Sequence, residues 1–383
     1  MAPVPSRVVF VTYYYSPYIS GLTLCTRSLA EGLVRRGWEV HVVCGRHDPG
    51  TAREEVIGGV RVHRLATVGG VDRGIIVPGL VPAALLRAGR DGMIVPVLPL
   101  VEAAAIGCMR PRERVVPFYV CDLRLAHTAV SRLIERAAHA SARAAIRRSV
   151  AFMALSEEYA RSSRVVGHLD RPVIGVLPPV DPGRFVPTDS ARLRSRLGVP
   201  RGSRLVGFVG RLVPEKGLPV LMDAVERVRV SRPDVRLIIA GEGDTVAGGG
   251  LGAAVRTRAA TDDWVVVTGF MPDADLPAFH SMLDVLALPS VDPLEAYGIV
   301  QVEAMLCGTP VIASDMPGVR IPVSRTGMGL LAPPGDPDAL ADALGRVLDD
   351  PGAFTADREA VIRAIDPEEG INALADLLHR LAV

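Results

Sequence analysis

Two kinds of periodicity alternate along the chain. Arg7 to Thr12 is an unbroken apolar, β-branched run and reads as a buried strand. A loop, Tyr13 to Gly21, follows. Across Thr23 to Arg36 the apolar residues Cys25, Leu29 and Leu33 recur every fourth position, the stripe of an amphipathic helix. Gly37 ends that helix in the usual C-terminal manner, and Glu39 to Cys44 reads as the next strand. Strand, helix and strand in that order imply parallel pairing through a right-handed crossover. Residues 51 to 130 are less periodic; Val60 to Leu65 and Val115 to Val120 read as strands. Ser131 to Val150 reads as a helix and Ala151 to Leu155 as a short strand.

Proline then punctuates the chain, in Leu177-Pro178-Pro179-Val180-Asp181-Pro182 and again at Pro187 and Pro200. That composition marks a linker and puts a domain boundary near residue 190. Beyond it the alternation is clearer. Strands are expected at Arg204 to Val209, Val235 to Ala240, Trp264 to Thr268, Val285 to Leu288 and Pro310 to Ala313. Helices are expected near 217–231, 251–260, 274–283 and 298–307. A last helix, about 368 to 382, is free to pack on either half. The expected fold class is α/β: two Rossmann-like, doubly wound parallel-sheet domains, 1–190 and 191–365, with a C-terminal helix in 366–383 able to return to the first. Open parallel sheets bind ligands at the carboxyl ends of their strands, so two such domains facing each other would enclose a cleft.

Composition narrows the class of function. Apolar residues are 49% and charged residues 22% of the 383 positions, as in a globular protein. Lysine plus arginine number 43 against 42 aspartates plus glutamates, which gives no pull toward nucleic acid. The five cysteines, Cys25, Cys44, Cys108, Cys121 and Cys307, form no C-x-x-C pair. An odd, scattered set suggests neither zinc nor a disulfide framework and fits a reducing cytoplasm. No apolar stretch approaches the ~20 residues that span a bilayer, so a soluble protein, or one peripheral to the inner membrane face, is expected. Arg132, Arg136, His139, Arg143 and Arg147 share one helical face. A solvated face is preferred to a lipid-binding one, because the opposite side is mostly alanine.

The chemistry-bearing motifs cluster in the second half. Glu295-Ala-Tyr-Gly298-Ile299-Val300-Gln-Val-Glu303 follows a strand and opens a helix. The first N–H groups of a helix lack intrahelical partners and can meet an anion, and Gly298 offers no side chain to block it. Glu303 lies about one turn further on, where a carboxylate can accept the two hydroxyls of a ribose. Gly210-Arg211-Leu-Val-Pro-Glu-Lys216-Gly217 follows another strand. Arg211 can grip a phosphate with two parallel hydrogen bonds, and Lys216 is a compact point charge. Gly241-Glu242-Gly243-Asp244 and Gly269-Phe270-Met271-Pro272 are weaker signals, where backbone could read a base edge or simply turn. Asp273-Ala-Asp275 and Asp336-Pro-Asp338 stand before helices and are read as caps, so no metal site is expected.

These segments, with Pro289-Ser290 and Glu295 to Pro310, occur in the order that resembles the retaining glycosyltransferases of family 4 (glycosyl transferases group 1), which have the GT-B fold. The opening Tyr15-Ser-Pro-Tyr-Ile-Ser-Gly21 loop, Leu29-Ala30 and Arg36-Gly37-Trp38-Glu39-Val40 are similar as well, so the likeness covers nearly the whole chain. The resemblance implies transfer of a sugar from a nucleoside diphosphate sugar to an acceptor hydroxyl, retaining the anomeric configuration, with no cofactor and no metal. The acceptor could be a lipid, a polysaccharide precursor or a small natural product. By the same resemblance, Arg211, Lys216 and Glu295 form the catalytic set, the first two on the diphosphate and Glu295 on hydroxyls of the sugar. Gly298 and Ile299 would offer N–H groups, Glu303 would bind the ribose, and Gly21 would let the donor approach the first domain. Gly210, Glu242, Gly269, Phe270, Met271 and Val300 complete the donor-side candidates.

One position departs from the family pattern. Where the family often has His in Tyr-His-x-Asp, this chain has Val120 in Tyr119-Val120-Cys121-Asp122-Leu123-Arg124. Valine neither donates a hydrogen bond nor carries charge. Either Asp122, Arg124 or His127 takes over the polar role, beside Tyr15 on the acceptor side, or the site handles its donor differently, or catalysis is impaired. The departure keeps a catalytically silent donor-binding subunit open, and an epimerase of the same architecture stays open as a rival enzyme. The sequence does not set the oligomeric state.

Overall fold

The computed structural model describes residues 7–71, 74–125, 128–242 and 250–382. The chain divides into two compact units, Met1–Pro179 together with Pro367–Val383, and Val180–Asp366. The break at Pro179 lies inside the proline-rich stretch, ahead of the boundary expected near 190.

Unit 1 is built on a sheet of β1 (Arg7–Val11), β2 (Glu39–Gly45), β3 (Glu54–Ile57), β4 (Val60–Leu65), β7 (Met93–Leu98), β8 (Phe118–Tyr119), β9 (Phe152–Ala154) and β10 (Val173–Gly175). A separate ribbon pairs β5 (Gly70–Val71) with β6 (Gly74–Ile75). The sheet order is β10-β9-β8-β7-β1-β2-β4-β3, parallel except where β3 pairs with β4. In β1, Val8 to Val11 are fully buried, as a parallel strand covered on both faces must be, and Phe10 stands opposite Val42 and Val95. The strand expected over Val115 to Val120 is shorter. Pro117 has no N–H to donate, and ladder pairing is confined to Phe118–Tyr119 with one bridge at Val115.

Unit 2 is an all-parallel sheet of β11 (Arg204–Val209), β12 (Val235–Ala240), β13 (Val265–Gly269), β14 (Val285–Leu288), β15 (Val311–Ser314) and β16 (Gly329–Ala332), in the order β13-β12-β11-β14-β15-β16. Phe208, Leu221, Leu237, Val285, Ile312 and Leu344 meet in its core. Helix Pro337–Asp349 packs on helix Leu218–Ser231. The aspartates before helices behave differently from one another. Asp336 caps its helix, its Oδ1 accepting from Asp338 N and Ala339 N at 3.0 Å each. Asp273 and Asp275 do not cap: Asp275 has helical backbone (φ −92, ψ −13), from which a side chain cannot reach back to the N2 or N3 amide. They pair instead with Arg184 at 3.3 Å and Arg196 at 2.6 Å. Among the described residues no helix is long and apolar enough to cross a membrane. On helix Ala129–Arg147 the buried residues are Ser131, Ala138, Ser141, Ala142, Ala145 and Ile146, so the basic residues stand off that seam.

The last helix, Glu368–Ala382, belongs to unit 1. Its buried residues Ile371, Leu374, Ala375 and Leu378 follow i, i+3, i+4, i+7. Two glycines admit it. A Cβ on Gly32 of helix Gly21–Arg35 would meet Ile371 Cγ2 at 2.8 Å, and a Cβ on Gly370 would meet Gly175 O at 2.5 Å. Arg35 and Arg36 clasp Glu368, and Arg36 Nε donates to Asn372 Oδ1 at 3.0 Å. The hydrogen bond from Arg36 holds the Glu368 carboxyl below the usual carboxylate range.

Two outcomes follow from this docking. Gly370→Val drives a side chain into the backbone of β10 and should cost about 1–3 kcal/mol, read by urea unfolding, with earlier proteolytic release of the terminal helix; wild-type values in both assays would refute the docking. Because the folded-state pKa of Glu368 is depressed, its contribution is present above the unfolded value (~4.3) and lost as pH falls through the folded one. The unfolding midpoints of wild type and Glu368→Gln should therefore differ modestly at pH 7 and converge as acid protonates the folded-state carboxylate; a difference that persists once it is protonated contradicts the clasp.

Candidate functional site

In unit 2 the chain runs from β11 outward to β13 on one side and from β14 to β16 on the other, so the winding reverses between β11 and β14. Open α/β sheets bind ligands outside the carboxyl ends of the strands at such a reversal. The loops that leave those two strands are Gly210 to Gly217 and Pro289 to Gly298. They are the two segments with the strongest chemical motifs.

Main-chain bonds stitch these loops to their neighbours. Gly210 N donates to Ala240 O at 3.0 Å, Leu212 N to Glu242 O at 3.0 Å, Gly241 N to Gly269 O at 2.8 Å and Val291 N to Glu215 O at 3.0 Å. The approach is closer than any side chain permits. Gly217 has φ +68, and a Cβ there would lie 1.9 Å from Pro289 O. Gly241 would place a Cβ 1.8 Å from Gly210 O.

This stitching brings predicted residues together. Lys216 Nζ donates to Glu295 Oε2, with side chains 18% and 14% exposed. Ser290, fully buried, has its hydroxyl 3.4 Å from the same oxygen. Arg211 is exposed, its Nη2 3.7 Å from Glu215 Oε1. Helix Ile299–Leu306 begins at Gly298, whose left-handed backbone (φ 80, ψ 72) provides no side-chain cap. Ile299 and Val300 form its first turn, partly exposed, and Glu303 follows Ile299 by four residues on the same face. The Glu303 side chain is 16% exposed, and its Oε2 lies 3.5 Å from Nε2 of the buried His280.

The other donor-side candidates of unit 2 sit on the same edge of its sheet. Gly269 (φ +69) ends β13, Phe270 is 68% exposed, and Met271 is 7% exposed and anchors the loop. Glu242 is exposed, while Gly243 and Asp244 lie outside the described residues. Gly21, in unit 1, is the exposed first residue of helix Gly21–Arg35, after Ser20, which forms a capping box with Thr23.

Of the acceptor-side candidates, Tyr15 needs correction. Tyr15 is fully buried, so its ring is part of the unit 1 core and cannot line a surface. Tyr14 and Tyr18 hold the accessible positions, stacked at 4.5 Å with His47 edge-on to both. Asp122 is committed to structure: its Oδ1 accepts from Tyr119 OH and from Ser163 Oγ at 2.6 Å, and its amide donates to Tyr159 OH at 3.0 Å. Arg124 is exposed, and His127 lies outside the described residues. Val120 is 5% exposed. Sequence reasoning missed Tyr13, whose hydroxyl donates to Glu102 Oε2 at 2.7 Å beside the winding reversal of unit 1. It also missed His280, a lone histidine on an apolar helix that carries no motif. Among the described residues no group of three or more His, Cys, Asp or Glu is placed to hold a metal ion.

Residues 189–365 match the family model for glycosyl transferases group 1, and residues 20–180 match the glycosyl transferase 4-like domain. Over 307 residues the chain is 35% identical to the 2-deoxystreptamine glucosyltransferase of Streptomyces kanamyceticus, covering 77% of this chain and 76% of that one. The chain belongs to the GT-B glycosyltransferases. The D-inositol 3-phosphate glycosyltransferase of Segniliparus rotundus is 36% identical over 176 residues, covering 43% of this glycosyltransferase and 38% of that one. Among solved structures, Anabaena Alr3699/HepE in complex with UDP has a TM-score of 0.72 at 23% identity, covering 98% of this glycosyltransferase and 100% of that chain. At that identity the likeness concerns the fold.

The glycine contacts make a graded test. Gly217→Ala adds left-handed strain to a clash with Pro289 O and should cost at least about 2 kcal/mol in urea unfolding. Gly308→Ala, at φ +86 with open space around it, should lose only the strain of about 1–2 kcal/mol. Equal losses at the two positions would show that the loop approach is not tight.

Proposed function

We propose that this glycosyltransferase moves a sugar from a nucleoside diphosphate sugar to an acceptor hydroxyl with retention of configuration and without a metal ion. Unit 2 takes the donor and unit 1 the acceptor. The reading rests above all on the Lys216–Glu295 pair, which stands on the loops either side of the winding reversal, next to the uncapped helix start at Gly298. The diphosphate lies against the N–H groups of Gly298 and Ile299, with Arg211 and Lys216 opposing its charge. An ammonium has three donors, so Lys216 can hold Glu295 and the phosphate together. Glu295 accepts hydroxyls of the sugar. Glu303, about one 5.4 Å turn beyond the helix start, accepts those of the ribose.

In the transfer step the bond between the anomeric carbon and the diphosphate oxygen breaks, and a bond to the acceptor oxygen forms on the same face. The acceptor proton passes to the departing diphosphate oxygen. No protein nucleophile is needed; the chain supplies positioning and stabilises charge on the leaving group. Of the acceptor classes left open by the sequence, a small hydroxylated ring is supported by the relative that acts, as its name says, on 2-deoxystreptamine. The named relatives are transferases, which favours neither an epimerase nor a silent subunit.

Turnover of UDP-, GDP- and ADP-sugars with cyclitol and sugar acceptors, followed by mass spectrometry, tests the reaction. Lys216→Ala should lower kcat by about a hundredfold or more, as loss of one donor to a developing oxyanion does elsewhere. Wild-type turnover in that variant, or donor consumption that needs no acceptor, would reject the reading.

A further inference from the structure

His280, on helix Leu276–Ser281, is 0% exposed. Among the described residues neither of its ring nitrogens has a hydrogen-bond partner. Its ring meets Phe185 and Phe279 edge-on, with centroids 6.0 and 5.9 Å apart. Its carbonyl accepts from Thr309 Oγ1 at 2.7 Å. The ring is thus clamped in an apolar setting where phenylalanine would pack at no polar cost, and leaving a buried polar atom unbonded is unfavourable. Nε2 faces the Glu303 carboxylate, 3.5 Å from its Oε2.

We infer that His280 is a positioning residue that donates Nε2–H to Glu303 Oε2 and fixes that carboxylate for the ribose hydroxyls of a nucleoside diphosphate. The inference rests on the reading of Glu303 given above. At 3.5 Å the contact is long for a hydrogen bond, and a small rotation of the carboxylate closes it. The Glu303 side chain is 16% exposed, so one edge of its carboxylate reaches the surface. Holding one oxygen against a clamped ring leaves the exposed edge in one orientation before the nucleotide arrives, so binding need not order it. His280 touches no substrate; it acts through Glu303.

The experiment compares calorimetric binding of UDP, GDP and ADP with that of their 2′,3′-dideoxy counterparts. Wild type should prefer the ribonucleotide, and Glu303→Ala should lose that preference. His280→Phe should lose about tenfold of it, with donor KM raised, kcat little changed and the unfolding midpoint equal or higher. His280→Gln keeps an N–H donor and should restore most of the preference. The double variant should bind no worse than Glu303→Ala, because both act on one contact. His280→Leu provides a second apolar replacement should the phenylalanine variant not fold. Full ribose preference in a folded apolar variant, beside its loss in Glu303→Ala, overturns the role of His280 and leaves the Glu303 reading standing. Full preference in Glu303→Ala itself removes the ribose reading, and this inference with it.

Discussion

The carboxyl edge of the unit 2 sheet depends on main chain meeting main chain without a side chain between. At Gly217 and Gly241 even a methyl group would fall within 2 Å of a carbonyl oxygen on the neighbouring loop, 1.9 Å and 1.8 Å respectively. Everything chemical on this edge is downstream of that approach. The loop after β11 can pair with the loop after β14 only because Gly217 lets it lie against Pro289, and the amide of Val291 then bonds Glu215 O. Lys216 and Glu295 are neighbours of these contact points in sequence, so the backbone stitching carries their side chains into reach. Glycine here gives up conformational entropy in exchange for proximity.

The charges on this edge are held in pairs: Lys216 with Glu295, and Arg211 near Glu215. Pairing has a physical use. Each pair is locally neutral, and Glu295 ties Lys216 to the loop that leads into the helix at Gly298. Under the proposed function, a dianion arriving there would meet N–H groups that have no side-chain cap and an ammonium with donors to spare. Under the proposed reading the diphosphate and Glu295 share Lys216, which ties sugar binding to phosphate binding through one side chain.

How much of this could be read from the sequence follows from what one-dimensional patterns encode. Arg204 to Val209, Val235 to Ala240 and Val285 to Leu288 are apolar runs of parallel, doubly covered strands, and the structure has them with those bounds. In unit 1 the central strand β7 escaped notice because Pro96 sits inside it, paired with Val11, where proline normally argues against a strand. β16 escaped because it is four residues long and opens on Gly329. The order of glycines and charges in the two loops was legible, since φ and close approach constrain residue type directly. Side-chain direction was not. Tyr15 turned out to be core while Tyr14 and Tyr18 face outward, because a three-tyrosine run in a loop has no period to read. Asp273 and Asp275 matched a capping pattern, yet the backbone at Asp275 is already helical and the two carboxylates pair with arginines.

The departure at Val120 acquires a physical context. Its side chain is 5% exposed and its amide donates to Leu98 O at 3.2 Å, which holds the segment against β7. Two residues on, Asp122 is engaged by Tyr119, Ser163 and Tyr159, with the Tyr119 hydroxyl kept protonated chiefly by burial. Burial would place a polar group at 120 where it would need a partner, and the nearby carboxylate is already occupied in holding the turn. Valine at that position avoids the cost of an unpaired donor. In the transfer proposed above the departing phosphate oxygen receives the acceptor proton, so the step does not require a base on this segment. What the segment must do is hold its shape beside the carboxyl end of β7, and the Tyr119–Asp122–Ser163 web does that without a histidine.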